Sequence, residues 1–283
     1  MLCIIVRSIR GGAKRRRRCK VFLTGAAILS FSFVPFCTSA GAATIVDLTT
    51  AGTSGTINGA IYEQIDAQST GIDVFSQQRP KGNGTTSQAY NTTVNHTLDN
   101  GSSDNFNHSI ALSDVPVVDR GGTPYRQFLL DIKESSGEGN ELLSLDEVQI
   151  FVGGTANSSV DTFTSGILDH DGALVYQMDG GMDNWVALDD SLNATSNGSG
   201  DMFLLVPDSV FAGYVGSSVV TLYSQFGLQG VNPSGFTGDF GASGRYEEWA
   251  VFGDGVIPEP VSAVLMMMAL AAALCGYRPR CAR

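Results

Sequence analysis

Apolar residues in the middle of the chain recur at every second position. Along Tyr125 to Ile132, Phe128, Leu130 and Ile132 share one parity; along Leu142 to Val152, Val148, Ile150 and Val152 share another. A period of two puts successive side chains on opposite faces of a strand. The intervening Ser135-Ser136-Gly137-Glu138-Gly139-Asn140 is glycine-rich. The pair is therefore expected to form two antiparallel strands joined across a turn. Shorter apolar runs continue the series at Ala43–Leu48, Gly71–Phe75, Leu174–Tyr176, Trp185–Leu188, Met202–Val206, Val219–Phe226 and Tyr246–Phe252. Gly, Asn, Ser and Asp clusters separate them, which are turn formers. Gln77 to Ser103 is polar and reads as a long surface loop or as weak edge strands. Amphipathic helical periodicity is absent from this region. Many short strands with glycine-rich turns predict an all-β body of β-sandwich or jelly-roll type.

The pattern changes at both ends. Val21–Phe36 is apolar, follows the basic Lys14-Arg15-Arg16-Arg17-Arg18-Cys19-Lys20, and precedes Ser39-Ala40-Gly41-Ala42-Ala43. Basic, apolar and small-residue regions in that order predict a secretory signal peptide over residues 1–43, cut after Ala42 or Ala43. Val261 to Tyr277 is an uncharged run of 17 residues, rich in Met, Leu and Ala. As a helix it is just long enough for a bilayer core of roughly 30 Å. Pro258-Glu259-Pro260 gives it a sharp start. Arg278, Arg280 and Arg283 form a basic stop-transfer tail on the cytoplasmic side. Three regions follow: signal peptide 1–43, an acidic ectodomain 44–255, and a tail 256–283 with its transmembrane helix at 261–277.

Charge and cysteine content sharpen this division. Of 17 basic residues, eight precede Thr44 and three follow Gly255; of 28 acidic residues only Glu259 lies outside the body. The body thus has six basic and 27 acidic residues, a surface that repels nucleic acid and anionic lipid and attracts divalent cations. All five cysteines (Cys3, Cys19, Cys37, Cys275, Cys281) fall in the terminal regions. The body therefore has no disulfide, thiolate site or cysteine nucleophile.

Within the body, carboxylates concentrate at Asp169-His170-Asp171-Gly172, Asp179-Gly180-Gly181-Met182-Asp183 and Asp189-Asp190. Calcium takes six to eight oxygen ligands, so Asp169, Asp171, Asp179 and Asp183 are the candidate metal residues of a β-loop calcium site. The helical calcium-loop pattern fails, because no glutamate follows at its twelfth position, and the same Asp-Gly steps are ordinary turn formers. Asp146 and Glu147 lie inside a strand; one is expected to face solvent, with Arg126 or Lys133 as partner. His96, His108 and His170 lack the spacing of a zinc enzyme and are expected to be exposed. Neither a Gly-x-Ser-x-Gly elbow nor a phosphate loop is present. Asn-x-Ser/Thr triplets are numerous, with five between Asn83 and Ser109, as expected of a hydrophilic loop.

The order Pro258-Glu259-Pro260, apolar run, arginine cluster resembles the PEP-CTERM sorting signal of Gram-negative bacterial surface proteins. The resemblance covers the last 28 residues. It implies that a membrane exosortase reads the tail, cuts near the Pro-Glu-Pro, and releases the protein or transfers it to the cell surface. Signal peptidase is the partner at the other end. The family's link to exopolysaccharide systems implies a non-enzymatic structural or interaction role in the envelope or extracellular matrix. Two further readings stand beside it: a calcium-dependent carbohydrate-binding module, and a secreted hydrolase using carboxylates such as Asp169 and Asp183.

Overall fold

The computed structural model describes residues 42–68, 72–101, 105–134, 140–193, 200–243 and 245–252. The predicted signal peptide, apart from Ala42 and Ala43, and the whole predicted tail at 256–283 lie outside the described residues. Among the described residues no helix is long and apolar enough to cross a membrane.

The described chain is all-β, with two seven-stranded sheets. The first sheet runs in the order β1 (Ile45–Asp47), β13 (Trp185–Asp189), β9 (Leu142–Val152), β15 (Val219–Phe226), β5 (Ser87–Tyr90). Beside it β12 (Ala173–Gln177) pairs with the far half of β9, and β6 (Ile110–Ala111) pairs with β15. The second sheet runs β2 (Ser54–Ile57), β3 (Ala60–Gln68), β14 (Gly200–Pro207), β8 (Thr123–Asp131), β16 (Glu247–Phe252), β4 (Ile72–Gln78), with β7 (Val117–Arg120) on the free part of β8. A small hairpin, β10 (Phe163–Thr164) with β11 (Ile167–Leu168), stands apart. Within the sheets β1 and β13 are parallel and the other pairs antiparallel.

One buried cluster joins the sheets face to face. It takes Leu143, Val148, Ile150, Val186 and Leu222 from the first sheet and Tyr62, Phe75, Phe128, Leu204 and Trp249 from the second. Side chains from two inner faces sharing one core make the fold β-sandwich-like. Polar contacts cross between the sheets as well: the Tyr62 and Tyr176 hydroxyls meet at 2.7 Å, and Trp249 Nε1 donates to Ser224 Oγ at 2.9 Å. The outer face of the first sheet is covered by chain. Phe163 and Ile167 of the hairpin pack on Phe151 and Tyr223, and Phe236 and Phe240 pack on Trp185.

The expected turn between the two best strand patterns is corrected here. β8 belongs to the second sheet and β9 to the first, so they do not pair. Each has an apolar inner face, Phe128 and Leu130 on one and Val148 and Ile150 on the other. Facing one another across the core buries both faces, which pairing edge to edge would not do. In Gln77–Ser103, Ser87–Tyr90 forms β5, the edge strand on β15.

β9 also changes face along its length. Leu143 and Leu145 point inward, and so do Val148, Ile150 and Val152. Opposite β15, Gln225 faces Glu147 and Phe226 faces Leu145, so Asp146 is an inserted residue. That bulge returns the apolar parity to the core on both sides of it.

Candidate functional site

The bulge decides where two predicted carboxylates go. Asp146 and Glu147 are both buried. Neither pairs with a base: Arg126 binds Asp208 (2.6 Å) and Lys133 meets Asp190 (3.5 Å). Donors converge on them instead. Asp146 accepts from Ser144 Oγ (2.9 Å), Leu228 N (2.7 Å) and Gln229 Nε2 (3.0 Å). Glu147 accepts from the backbone N–H groups of Val148 (2.9 Å), Met178 (3.1 Å) and Asp179 (3.3 Å), and from Gln149 and Gln177 Nε2. Gly227 (φ +84) turns the chain so that Leu228 N reaches Asp146; a side chain there would strike the Thr85 carbonyl. Burial pushes Asp146 up to about 6 and raises Glu147, while these hydrogen bonds pull both back.

The four residues expected to bind calcium are not brought together. Asp169 and Asp171 lie before β12, and Asp179 and Asp183 lie after it. The five residues of that strand alone separate the pairs by roughly 17 Å. Asp169, Asp171 and Asp183 are exposed, and Asp179 is half-buried. Asp171 is committed to Thr155, accepting from its N–H and Oγ1, which holds its pKa below the usual carboxylate range. Asp179 accepts from Asn184 N, and burial followed by the neighbouring Glu147 pushes it up to about 7. Among the described residues no three Asp, Glu, His or Cys side chains already stand as a metal cage.

The expected exposure of the histidines is corrected for all three: His96 and His108 are half-buried and His170 is buried. His170 packs beside Phe151 and Tyr90, with its Nδ1 accepting from Gly172 N at 2.9 Å. His96 stacks on Tyr90 with ring centroids 5.0 Å apart and planes 6° from parallel. Burial lowers the pKa of both, favouring neutral rings.

The asparagine-rich segment is tied down by its own side chains. Asn91 accepts from Leu222 N (2.7 Å) and donates to Val220 O (2.9 Å); Asn107 accepts from Gln77 N (2.9 Å). Both are 1 % exposed, so these two triplets present no free amide for modification in the folded chain. Between them the segment encloses a pocket of about 300 Å³ whose walls include Lys81, Thr93, Asn95, His96 and Asn100. His96 Nδ1 accepts from Leu98 N (3.1 Å), so the neutral ring carries its hydrogen on Nε2. That Nε2 and Asn100 Oδ1 are buried polar atoms with no partner among the described residues. Val94 and Leu98 also line it, so the lining is as apolar as it is polar, and its charge comes from Lys81, whose Nζ donates to the Thr97 and Leu98 carbonyls.

A second carboxylate group, buried except for the half-buried Asp131, has only Asp190 among the residues the acidic sequence clusters single out. Asp131 ends β8, Glu134 follows it, Asp190 follows β13, Asp201 lies in β14 and Glu247 opens β16. The pKa of each is raised, first of all by burial: Asp131 to about 8, Glu134 and Asp201 to about 7, Asp190 and Glu247 by direction. Its members are 56 and 116 residues apart in sequence from Glu134 to Asp190 and from Asp131 to Glu247, so no local spacing announces it.

No family model, no curated protein and no solved structure matches this chain.

Proposed function

We propose that the chain is an exported surface protein, sorted by an exosortase through its Pro258-Glu259-Pro260 tail and acting outside the cytoplasm without catalysis. The carrying observation is the order of elements. β16 is an interior strand, paired to β8 on one side and β4 on the other, and it ends at Phe252. The Pro-Glu-Pro begins six residues later and is followed by the apolar run and three arginines. The sorting residues therefore follow the last strand among the described residues, so removing them leaves every described strand in place. The cysteine-free, strongly acidic body suits a displayed module in contact with polysaccharide, ions or protein. Mass spectrometry of the native protein tests this. Mature ends near Ala42 or Ala43 and near Pro258 are expected; a cytosolic protein with both ends intact would refute it.

A second reading is favoured by the pocket. Amides, threonine hydroxyls and the His96 imidazole suit a neutral hydroxylated ligand such as a sugar. A glycan array with the wild type and Asn100→Ala checks it; absence of any binding removes it. The hydrolase reading has little to rest on, because Asp169 and Asp183 stand on separate exposed turns at opposite ends of β12.

A further inference from the structure

The second sheet is apolar on both faces. Phe128, Leu130, Leu204, Trp249 and Val251 point into the sandwich. The alternate positions Leu129, Phe203, Leu205, Ala250 and Phe252 form a separate cluster on the outer side. Backbone register sets that cluster in rows. Phe203 lies opposite Leu129, Leu129 opposite Ala250, and Ala250 opposite Val74. In the neighbouring row Leu205 lies opposite Ile61, and Phe252 opposite Ile72. Together they make an apolar band across β3, β14, β8, β16 and β4. At roughly 4.8 Å per strand gap the band is about 19 Å across, and its two rows span only about 7 Å along the strands.

An antiparallel sheet with one face in water alternates apolar and polar residues, whereas strands covered on both faces read as unbroken apolar runs. Met202–Val206, Phe128–Leu130 and Trp249–Phe252 are such runs. On the first sheet the outer apolar residues have their cover: the β10–β11 hairpin lies on Phe151 and Tyr223, and Phe236 and Phe240 lie on Trp185. On the second sheet every described apolar residue of the outer cluster belongs to that sheet's own strands. Its rim residues Ile61, Ile72 and Val74 stay half-buried.

We propose that this band is a docking surface for the apolar run Val261–Tyr277 of the same chain. Shape favours that occupant. The band is about one helix wide, and 17 residues as a helix measure about 26 Å, enough to cross the five strands. A second copy of the sheet would need a broader face. Chain continuity favours it too. Phe252, the last described residue, stands in the band itself. Val261 follows after residues 253–260, which reach at most about 26 Å when extended. The N-terminal apolar run instead joins the body at β1, an edge of the first sheet. Charge agrees, since the body is strongly acidic and the run ends in Arg278, Arg280 and Arg283. Met266, Met267 and Met268 can adapt to an uneven sheet surface. Docking takes one side of the run out of water before a membrane receives it. The contact does not depend on the sorting reading.

The body has no cysteine, so Cys275 inside the run is a built-in probe. Ile61→Cys and Val74→Cys, at the two ends of the band, are introduced singly into the full chain. Mild oxidation followed by mass spectrometric mapping of the disulfides tests the contact. A bond within one chain is expected between Cys275 and at least one of the two new cysteines. Val215→Cys, exposed and outside the cluster, should form none. In the unsubstituted chain Cys275 should also be alkylated about tenfold or more slowly than Cys281. That second measurement stands should a substitution prevent folding. Disulfides between copies would put a second copy on the band, and bonds to Cys3, Cys19 or Cys37 would put the N-terminal run there. Either result overturns the proposal, as do equal trapping by Val215→Cys, no trapping at all, or equal alkylation of Cys275 and Cys281.

Discussion

Asp146 and Glu147 on one side, and Glu134, Asp201 and Glu247 on the other, are buried to similar depth in one sandwich and served very differently. The first two sit on a bulge in β9, where the strand, the β12–β13 turn and the chain after Gly227 all point N–H groups at them. The other three sit at strand ends, where four of their oxygens meet no amide or hydroxyl donor and Glu134 and Glu247 bond to each other. Both groups have raised pKa values because burial penalises charge. They differ in what removing the carboxylate does: in one place it strands donors, in the other it removes a source of repulsion. Buried carboxyl groups in this protein are therefore structural anchors at the bulge and groups that burial drives toward the protonated form at the strand ends.

The sharpest way to break this contrast is pH. The strand-end carboxyls hold protons in the folded chain that the unfolded chain has released above about pH 4. Their folded-state pKa values are raised, to about 7 for Glu134 and Asp201 and about 8 for Asp131. That stability is fully present below the unfolded value and is lost as pH rises through 7 and 8. One proton held across about three pH units is worth on the order of 4 kcal/mol, so urea unfolding at pH 5 and pH 8 should differ by at least that much. The Asp146 contribution has the same sign but is exhausted by about pH 6. A flat profile between pH 6 and pH 8 would erase the distinction.

Substitution by leucine separates the groups next. Glu147→Leu leaves the Val148 and Asp179 N–H groups and the Gln177 amide without this acceptor, while Met178 N and the Gln149 amide keep the Val148 and Gly166 carbonyls, and should cost about 3 kcal/mol. Glu247→Leu at pH 8 should instead stabilise by about 1–3 kcal/mol, as replacing uncompensated buried charge does. Equal losses in the two variants would show that both groups depend on donors. A smaller effect is expected at the neutral tyrosine contact near the bulge. Tyr176→Phe removes hydrogen bonds to Tyr62 and to Ile57 O and should cost about 1 kcal/mol by thermal unfolding, with no pH dependence. Smallest of all, Arg120→Ala breaks an ion pair with the half-exposed Glu63 and should change stability by less than about 0.5 kcal/mol. It supplies the baseline for a carboxylate that water can reach.

Much of this architecture could be read from residue order. Alternation in Phe128, Leu130 and Ile132 marked β8 and its inward face, and the all-β class followed from many such runs between glycine-rich turns. Even the bulge left a trace, since the apolar parity of Leu143 and Leu145 fails to continue to Val148 and Ile150. What could not be read was partnership. Strand pairing in a sandwich is set by which faces bury each other, so two adjacent alternating runs joined by a turn pattern resemble a hairpin even when they end in different sheets. The same ambiguity hid His170, which lies in an acidic turn sequence yet packs against Phe151 after the hairpin folds back over the first sheet.

By itself the sequence determined a cysteine-free, acidic, strand-rich body between two apolar terminal segments, because period, composition and charge are local properties of the chain. Only the tertiary structure decided that Glu134, Asp190, Asp201 and Glu247 meet while Asp169 and Asp183 do not. Residues near in sequence were held apart by the stiff length of β12, and residues far apart were joined by strand pairing. Burial then assigned each carboxylate its chemistry, through the donors that the fold did or did not place beside it.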